Sequence, residues 1–223
     1  MLECWQGLSV LEIGCGEGRL SAMIGMAGAE KVEALDYSES AIRIAKQRFN
    51  LENVAYACKD YNNHEGLYDV VVLQGVLEHL DDPFTDLRAI LENQVRPGGS
   101  LITSSPSFLN PRGYVWMTLQ ILFDVPMSLS DLHSLSPFQF EEFAHATGCR
   151  LSVESTDLDW AAGERLILDF QKRLPNALSD AGLPTDKVPQ LLEWLAKAAP
   201  YFKHDNFSGA NVAYKLQKPL SSG

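Results

Sequence analysis

Residues 10–18 read Val-Leu-Glu-Ile-Gly-Cys-Gly-Glu-Gly, and this stretch decides the fold class. Its apolar first half predicts a buried strand, and Gly14, Gly16 and Gly18 predict a sharp loop that a ligand can approach closely. Apolar residues then recur at helical spacing on one face: Leu20, Met23, Ile24 and Ala27. Arg19 stands where a dinucleotide fingerprint carries its third glycine, so the loop indicates a nucleotide-type site but does not specify which nucleotide.

Strand and helix patterns alternate from this loop to about residue 105. Helices are predicted over 17–27, from Ser38, and from Asp82 until Pro97-Gly98-Gly99 ends the third. This alternation predicts a doubly wound parallel α/β sheet. The predicted strands are 8–13, 32–35, 54–57, 68–73 and 100–104.

The rhythm changes after residue 106. An aromatic-rich segment interrupted by proline and glycine precedes a helix that begins at Ser136-Pro137. A strand is predicted over 150–158 and helices over 160–200, with breaks at Pro175 and at 182–184. Residues 211–217 alternate apolar and polar side chains, which predicts a last strand near the edge of the sheet.

Composition limits the class of protein. A chain of 223 residues with 46% hydrophobic side chains fits one globular α/β domain. Its formal charge of −11 disfavours a large nucleic-acid footprint. The four cysteines form no Cys-x-x-Cys pair, which favours reduced thiols in a cytoplasmic protein. We expect no signal peptide and no membrane-spanning segment.

Two acids follow predicted strands at positions where α/β sheets bind nucleotides. Asp36 ends the second strand 22 positions after Gly14, about where an acid binds ribose hydroxyls. Asp60 follows the third strand and is placed to hold the amine of an adenine. A solvated turn residue is the alternative for both, and it competes more strongly at Asp60.

The joint pattern resembles class I S-adenosylmethionine-dependent methyltransferases, and within them the small-molecule branch similar to ubiquinone-biosynthesis O-methyltransferases. The resemblance covers nearly all of residues 8–104 and becomes looser beyond 106, where only the His-x-x-Ser-Pro stretch at 133–137 is similar. The motifs that carry it are V-L-E-I-G-C-G-E-G at 10–18, E-A-L-D at 33–36, K-D-Y at 59–61, Y-D-V-V-V-L-Q-G-V-L-E-H-L-D-D-P at 68–83 and R-P-G-G-S-L at 96–101.

The resemblance implies a mostly parallel, seven-stranded, Rossmann-like methyltransferase sheet that binds S-adenosylmethionine and releases S-adenosylhomocysteine. Glu12 would orient the methionine amino end, and the Gln74 carbonyl would accept from the cofactor's ammonium. Asp36 would bind the ribose with Tyr37 beside the adenine, and Asp60 would take the adenine amine with Tyr61 packed next to it. The implied cofactor-binding set is completed by the glycine loop itself: Gly14, Cys15, Gly16 and Gly18, with Cys15 as a space-filler.

His79 and His133 are the candidate catalytic bases, because imidazole titrates in the useful range and a hydroxyl acceptor must lose a proton. A local loop role is the alternative for His79 next to Glu78. Some relatives use matching positions for a divalent metal together with a further acid. Position 75 is glycine here, so we predict no required metal.

The predicted organisation is a single methyltransferase domain over residues 1–223. Residues 1–105 are its cofactor-binding half, 106–148 an acceptor-side insertion and helix, and 149–223 a C-terminal part that completes the sheet. Within the insertion, residues 107–135 could form an apolar lid, a packed helix or a dimer interface. The expected partner is a small-molecule acceptor, and the expected assembly is a monomer or homodimer.

The main prediction is methyl transfer to a hydroxyl oxygen of a small metabolite, with nitrogen or carbon as alternative acceptors. A nicotinamide-dependent dehydrogenase is disfavoured by Arg19 and by the absence of a Tyr-x-x-x-Lys pair. A domain that binds a cofactor without catalysing a reaction is a further alternative. An RNA methyltransferase is disfavoured by the charge and by the lack of an Asn/Asp-Pro-Pro-aromatic motif.

Overall fold

A computed structural model describes residues 4–220. Its strands are β1 (Ser9–Ile13), β2 (Lys31–Asp36), β3 (Val54–Cys58), β4 (Tyr68–Gln74), β5 (Val95–Pro106), β6 (Arg150–Thr156) and β7 (Asn211–Gln217). Its helices are α1 (Arg19–Met26), α2 (Glu39–Arg48), α3 (Pro83–Asn93), α4 (Pro111–Phe123), α5 (Pro137–Thr147), α6 (Leu158–Ala162), α7 (Glu164–Asp180) and α8 (Val188–Ala198). Short 3₁₀ helices cover Tyr61–Asn63, Leu77–His79 and Ala199–Tyr201.

The strands form one seven-stranded sheet in the order β3-β2-β1-β4-β5-β7-β6. β1 lies parallel between β2 and β4, with Ile13 paired to Leu35 on one side and to Leu73 on the other. Val10 and Leu11 of β1 and Val71 of β4 have no exposed surface, as expected for parallel strands covered on both faces. The seven-stranded α/β sheet predicted from the sequence is therefore confirmed.

The sheet is mixed, because β7 runs antiparallel to β5. The Lys218 amide donates to the Gly99 carbonyl and the Ser107 amide to the Ala210 carbonyl, each at 2.9 Å, so residue numbers fall along β7 as they rise along β5. Residues 211–217 form the predicted strand near the sheet edge: β7 is interior but lies next to the edge strand, β6. Alternation along a strand reports which face is buried and carries no information about lateral neighbours.

Several predicted boundaries also differ from the structure. The third helix ends at Asn93, and Pro97, Gly98 and Gly99 do not end it but lie inside β5, which begins at Val95 and not at 100. The first helix begins at Arg19 and not at 17, because Gly18 adopts a left-handed conformation (φ +80°) as its N-cap. Pro175 does not break the helical region; it lies inside α7. Proline removes one intrahelical hydrogen bond there. Packing of Phe170 and Leu174, both almost fully buried, offsets that loss.

The described chain divides into two compact units. The first contains residues 4–105, 140–152 and 214–220, and the second contains 106–139 and 153–213. The second unit has its own apolar core, in which Trp116 of α4 packs edge-on against Phe170 of α7. An ion pair between the largely buried side chains of Arg112 and Asp169 also joins α4 to α7 at 3.0 Å. Among residues 4–220, no helix combines the length and apolar character needed to cross a membrane.

Lys218 closes the C-terminal end of α3. Its ammonium donates to the carbonyl oxygens of Leu91, Glu92 and Val95 at 2.7, 3.1 and 2.9 Å. The first two are carbonyls that the end of α3 leaves without intrahelical partners, and the third belongs to the first residue of β5. A cation there also interacts favourably with the helix dipole.

We therefore expect Lys218→Met to lower the free energy of unfolding by about 2 kcal/mol, the range for hydrogen bonds from a charged donor. Urea denaturation measures the change. Lys172→Met, at an exposed position on α7, is the matched control. An equal effect in the two variants would show that the three bonds do not stabilise the fold.

Candidate functional site

The loop after β1 is held by the end of β2. The amides of Gly14 and Cys15 both donate to the Leu35 carbonyl, at 2.8 and 2.9 Å, and the Gly16 amide donates to Asp36 Oδ2 at 2.8 Å. Three consecutive amides are thus satisfied by two residues of the neighbouring strand. This geometry fixes the path of the loop before α1 begins.

Two glycines in this loop have no room for a side chain. Gly14 has φ +74°, and a Cβ there would lie 2.5 Å from Val76 Cγ2 in the loop after β4. Gly18 has φ +80°, and a Cβ would lie 2.6 Å from the ring of Tyr56. Both positions combine a left-handed backbone with a close neighbour, which only glycine accommodates without strain.

A cavity of about 650 Å³ opens at the carboxyl ends of β1 to β4, within the first unit. Its size is typical of a small-molecule site, and its place at the strand ends is where α/β sheets bind ligands. It is lined by Ile13, Gly14, Leu35, Asp36, Tyr37, Lys59, Asp60, Tyr61, Gly75, Val76, His79 and Leu80.

Asp36 accepts two backbone hydrogen bonds and also lines this cavity. Its Oδ2 accepts from the Gly16 amide, and its Oδ1 accepts from the Ser38 amide at 2.8 Å, next to the start of α2. A carboxylate offers about four acceptor positions, so about two remain for a ligand. Tyr37 beside it is 89% exposed, which leaves its ring available to a bound group.

The loop after β3 supplies another wall of the cavity. Asp60 Oδ1 accepts from the Asn62 amide at 2.9 Å and so caps the 3₁₀ helix that carries Tyr61. The Tyr61 phenol interacts electrostatically with the Asp86 carboxylate of α3. Burial, and then the charge of Asp86, raises the pKa of Tyr61. The Tyr61 phenol is therefore neutral and can donate or accept.

Glu12 lies outside the cavity lining and is only 2% exposed. Ser21 of α1 donates a hydrogen bond to its Oε2. Burial raises the pKa of Glu12 from its ordinary 4.5 to about 7, and the nearby charge of Asp36 adds to the shift. Burial likewise raises the pKa of Cys15 to about 12, so this thiol stays protonated. An acid buried at such a cost is typical of functional sites.

The structure brings half of the candidate residues together in one cavity, although their roles stay predictions. Gly14, Asp36, Tyr37, Asp60, Tyr61 and His79 line the cavity. Glu12, Cys15, Gly16, Gly18 and Gln74 belong to the same unit but are not lining residues. Cys15 packs in a small apolar cluster with Ala34, Ile42, Ala45 and Tyr56. His133 lies in the second unit, between α4 and α5, and is partly buried.

Several lining residues were missed by sequence reasoning. Lys59 directly precedes Asp60, and Gly75 and Val76 directly follow β4. For Lys59 and Gly75 the available signal was position: each lies at a strand's carboxyl end, next to a residue that the sequence did single out. Val76 could not be found this way, because its contact with Gly14 depends on how two loops pack.

Comparison with known proteins identifies the relatives of this chain. A family model described as "Methyltransferase domain" matches residues 2–156. The mitochondrial ubiquinone biosynthesis O-methyltransferase of Schizosaccharomyces pombe is 37% identical over 111 residues, 47% of this chain and 40% of that protein. An Acinetobacter baumannii protein of the same name is 29% identical over 149 residues, 62% of this chain and 61% of its own length. The chain thus spans about half the length of these two curated relatives.

Solved structures share the fold. An S-adenosylmethionine-dependent methyltransferase from Mesorhizobium loti superposes with a TM-score of 0.60 at 16% identity, covering 98% of this chain and 94% of that one. Phosphoethanolamine N-methyltransferase 2 of Haemonchus contortus, solved with S-adenosyl-L-methionine, gives the same TM-score and identity over 98% of this chain and 50% of that one.

Glu12 makes the fold pH-dependent in a direction that can be measured. Between pH 4.5 and about 7 the folded chain holds a proton on Glu12 that the unfolded chain has released. The free energy of unfolding therefore falls as pH rises through this window and loses about 3 kcal/mol in total. We expect Glu12→Gln, which keeps an acceptor for Ser21, to be more stable than the parent by up to about that amount at pH 8 and nearly equal to it at pH 4.5.

Chemical denaturation at the two pH values measures this difference. Glu52→Gln, at an exposed position, is the control and should change stability equally little at both. A Glu12→Gln variant without a pH-dependent gain would contradict the assignment of a raised pKa.

Proposed function

The chain belongs to the methyltransferase-domain family of S-adenosylmethionine-dependent enzymes, and on this premise we propose that it methylates a hydroxyl oxygen of a small-molecule acceptor. The observation that carries the proposal is the cavity at the carboxyl ends of β1 to β4, with Asp36 and Asp60 on its walls. The names of the curated relatives support oxygen as the acceptor atom. Transfer to nitrogen or carbon, and binding without turnover, are the alternatives.

The residues present fit S-adenosylmethionine. The cavity volume of about 650 Å³ suits a nucleoside with an amino-acid arm. Gly14 lines the cavity with backbone that carries no side chain. The carboxylates of Asp36 and Asp60 offer acceptors for hydroxyl and amine donors. The sulfonium of the cofactor supplies an already activated methyl group, so the protein has mainly to bind, orient and exclude water.

In this proposal each wall holds one part of the cofactor. Asp36 accepts from the two ribose hydroxyls with its remaining lone pairs, and Tyr37 covers the adenine. Asp60 accepts from the adenine amine beside the ring of Tyr61. The carbonyl of Gln74, next to the lining residue Gly75, accepts from the ammonium group. Gly16 and Gly18 shape the loop, and Glu12 acts from beneath it on the methionine end.

We propose His79 as the base that removes the acceptor's proton, because His79 lines the cavity. His133 is the alternative base on the acceptor side, in the segment 106–148 that we propose selects the acceptor. No step in this proposal requires a metal ion. We also propose that the protein is cytoplasmic and that it is a monomer or a homodimer.

Calorimetry with S-adenosylmethionine, S-adenosylhomocysteine and NAD tests the cofactor assignment. We expect the first two to bind, and Asp36→Asn to weaken both by about tenfold or more, because an amide nitrogen cannot accept from a ribose hydroxyl. Asp186→Asn, at an exposed position, is the matched control. Binding of NAD alone, or full affinity in Asp36→Asn, would contradict the proposal.

A screen of hydroxyl acceptors tests the base. We expect His79→Ala to lower kcat by about 100-fold or more while cofactor affinity is kept, the usual contribution of a positioned general base. His133→Ala measured in parallel is the comparison. A loss in His133→Ala alone would move the base to the second unit. Full rates in both variants would show that neither histidine removes the proton.

A further inference from the structure

The loop that follows β3 forms one wall of the cavity without belonging to the sheet. It contributes Lys59, Asp60 and Tyr61 to the lining. At its start the Lys59 amide donates to the Asp36 carbonyl of β2 at 3.0 Å. Further along, the Asn63 amide donates to the Asp60 carbonyl and the His64 amide to the Tyr61 carbonyl, both at 3.1 Å. These two short-range bonds shape the turn but do not fix residues 61–64 relative to the sheet.

Gln94, at the C-terminal end of α3, holds this loop from behind. Its side chain donates from Nε2 to the carbonyl oxygens of Tyr61 and His64, each at 3.1 Å. Its backbone carbonyl accepts from the Tyr68 amide at 2.9 Å, where the loop enters β4. One residue therefore binds the loop at three points along its length.

The burial and chemistry of Gln94 leave one orientation for its amide. The residue is 5% exposed, and its Oε1 has no hydrogen-bond partner among the described residues. Rotating the amide would turn Oε1 toward two carbonyl oxygens, which only accept. The fold therefore keeps a buried acceptor without a protein partner while both N–H donors serve the loop.

A second residue of α3 reaches the same loop. The carboxylate of Asp86 interacts electrostatically with the Tyr61 phenol and helps to raise its pKa. Gln94 thus binds the backbone of Tyr61, and the charge of Asp86 acts on its side chain. The far end of the loop has its own anchor, because His64 Nε2 lies 2.6 Å from the Tyr68 hydroxyl.

We propose that Gln94 is a positioning residue for the cofactor site: by holding the carbonyls of Tyr61 and His64, it fixes the wall that presents Asp60 and Tyr61 to the adenine. This inference rests on the proposed function for the identity of the ligand. The hydrogen bonds from Gln94 to the loop do not depend on the identity of the ligand. Gln94 is not among the lining residues of the cavity, so its effect on binding is transmitted through the loop.

The experiment combines hydrogen exchange with calorimetry on the full chain. Gln94→Met preserves side-chain length and removes both donors, and Asn93→Met removes an exposed amide from the neighbouring position. In Gln94→Met we expect faster exchange at the amides of residues 61–64, unchanged exchange in α3 and β4, and about tenfold weaker binding of S-adenosylmethionine. Asn93→Met should match the parent in every measurement.

A second variant, Gln94→Glu, tests the same contacts if Gln94→Met folds poorly. Gln94→Glu keeps the shape but places a carboxylate against two carbonyls, and we expect the same local changes. Unchanged exchange and affinity in both variants would overturn the inference. Uniformly faster exchange with a lower unfolding midpoint would also overturn it, because it would show a general structural role. Failure of the parent chain to bind S-adenosylmethionine would instead overturn the proposed function, while the exchange data would still test the anchor.

Discussion

The structure depends on the way the end of β2 receives the loop after β1. Three successive loop amides find their acceptors on Leu35 and Asp36, and the pairing of Ile13 with Leu35 brings those residues alongside. Because the loop is satisfied by its neighbour strand, it can turn through left-handed glycines and start α1 immediately. The same carboxylate then faces the cavity. A hydrogen bond that shapes the fold therefore also places a candidate ligand acceptor.

The sequence was sufficient where structure follows from local chemistry. The apolar run at 68–73 becomes a strand because its side chains are buried on both faces. Asp82 caps α3 through the Thr85 amide, as Asp followed by Pro predicts. Six of the candidate site residues line one cavity, because strand ends meet at one edge of a parallel sheet. These features need only periodicity, caps and the direction of the strands.

The remaining features depend on contacts between distant segments, which local patterns do not encode. β7 has an ordinary alternating pattern, yet it pairs between β5 and β6. The core of the second unit joins Trp116 to Phe170 from separate stretches of chain. The burial of Glu12 and the reach of Gln94 to two carbonyls appear only when helices are packed on the sheet. Reading residue by residue found two acids that line the cavity, Asp36 and Asp60, and missed Gln94, which binds the loop that forms one of its walls.

The interior position of β7 has a consequence for the order in which the chain assembles during synthesis. β5 leaves the ribosome early, with one edge open, and the strand that covers this edge is made last of the seven. Until then β5 presents unpaired amides and carbonyls, a template for pairing with other chains. We therefore expect a chain arrested before β7 to self-associate more readily than the complete chain. Pairing of β7 removes the open edge of β5.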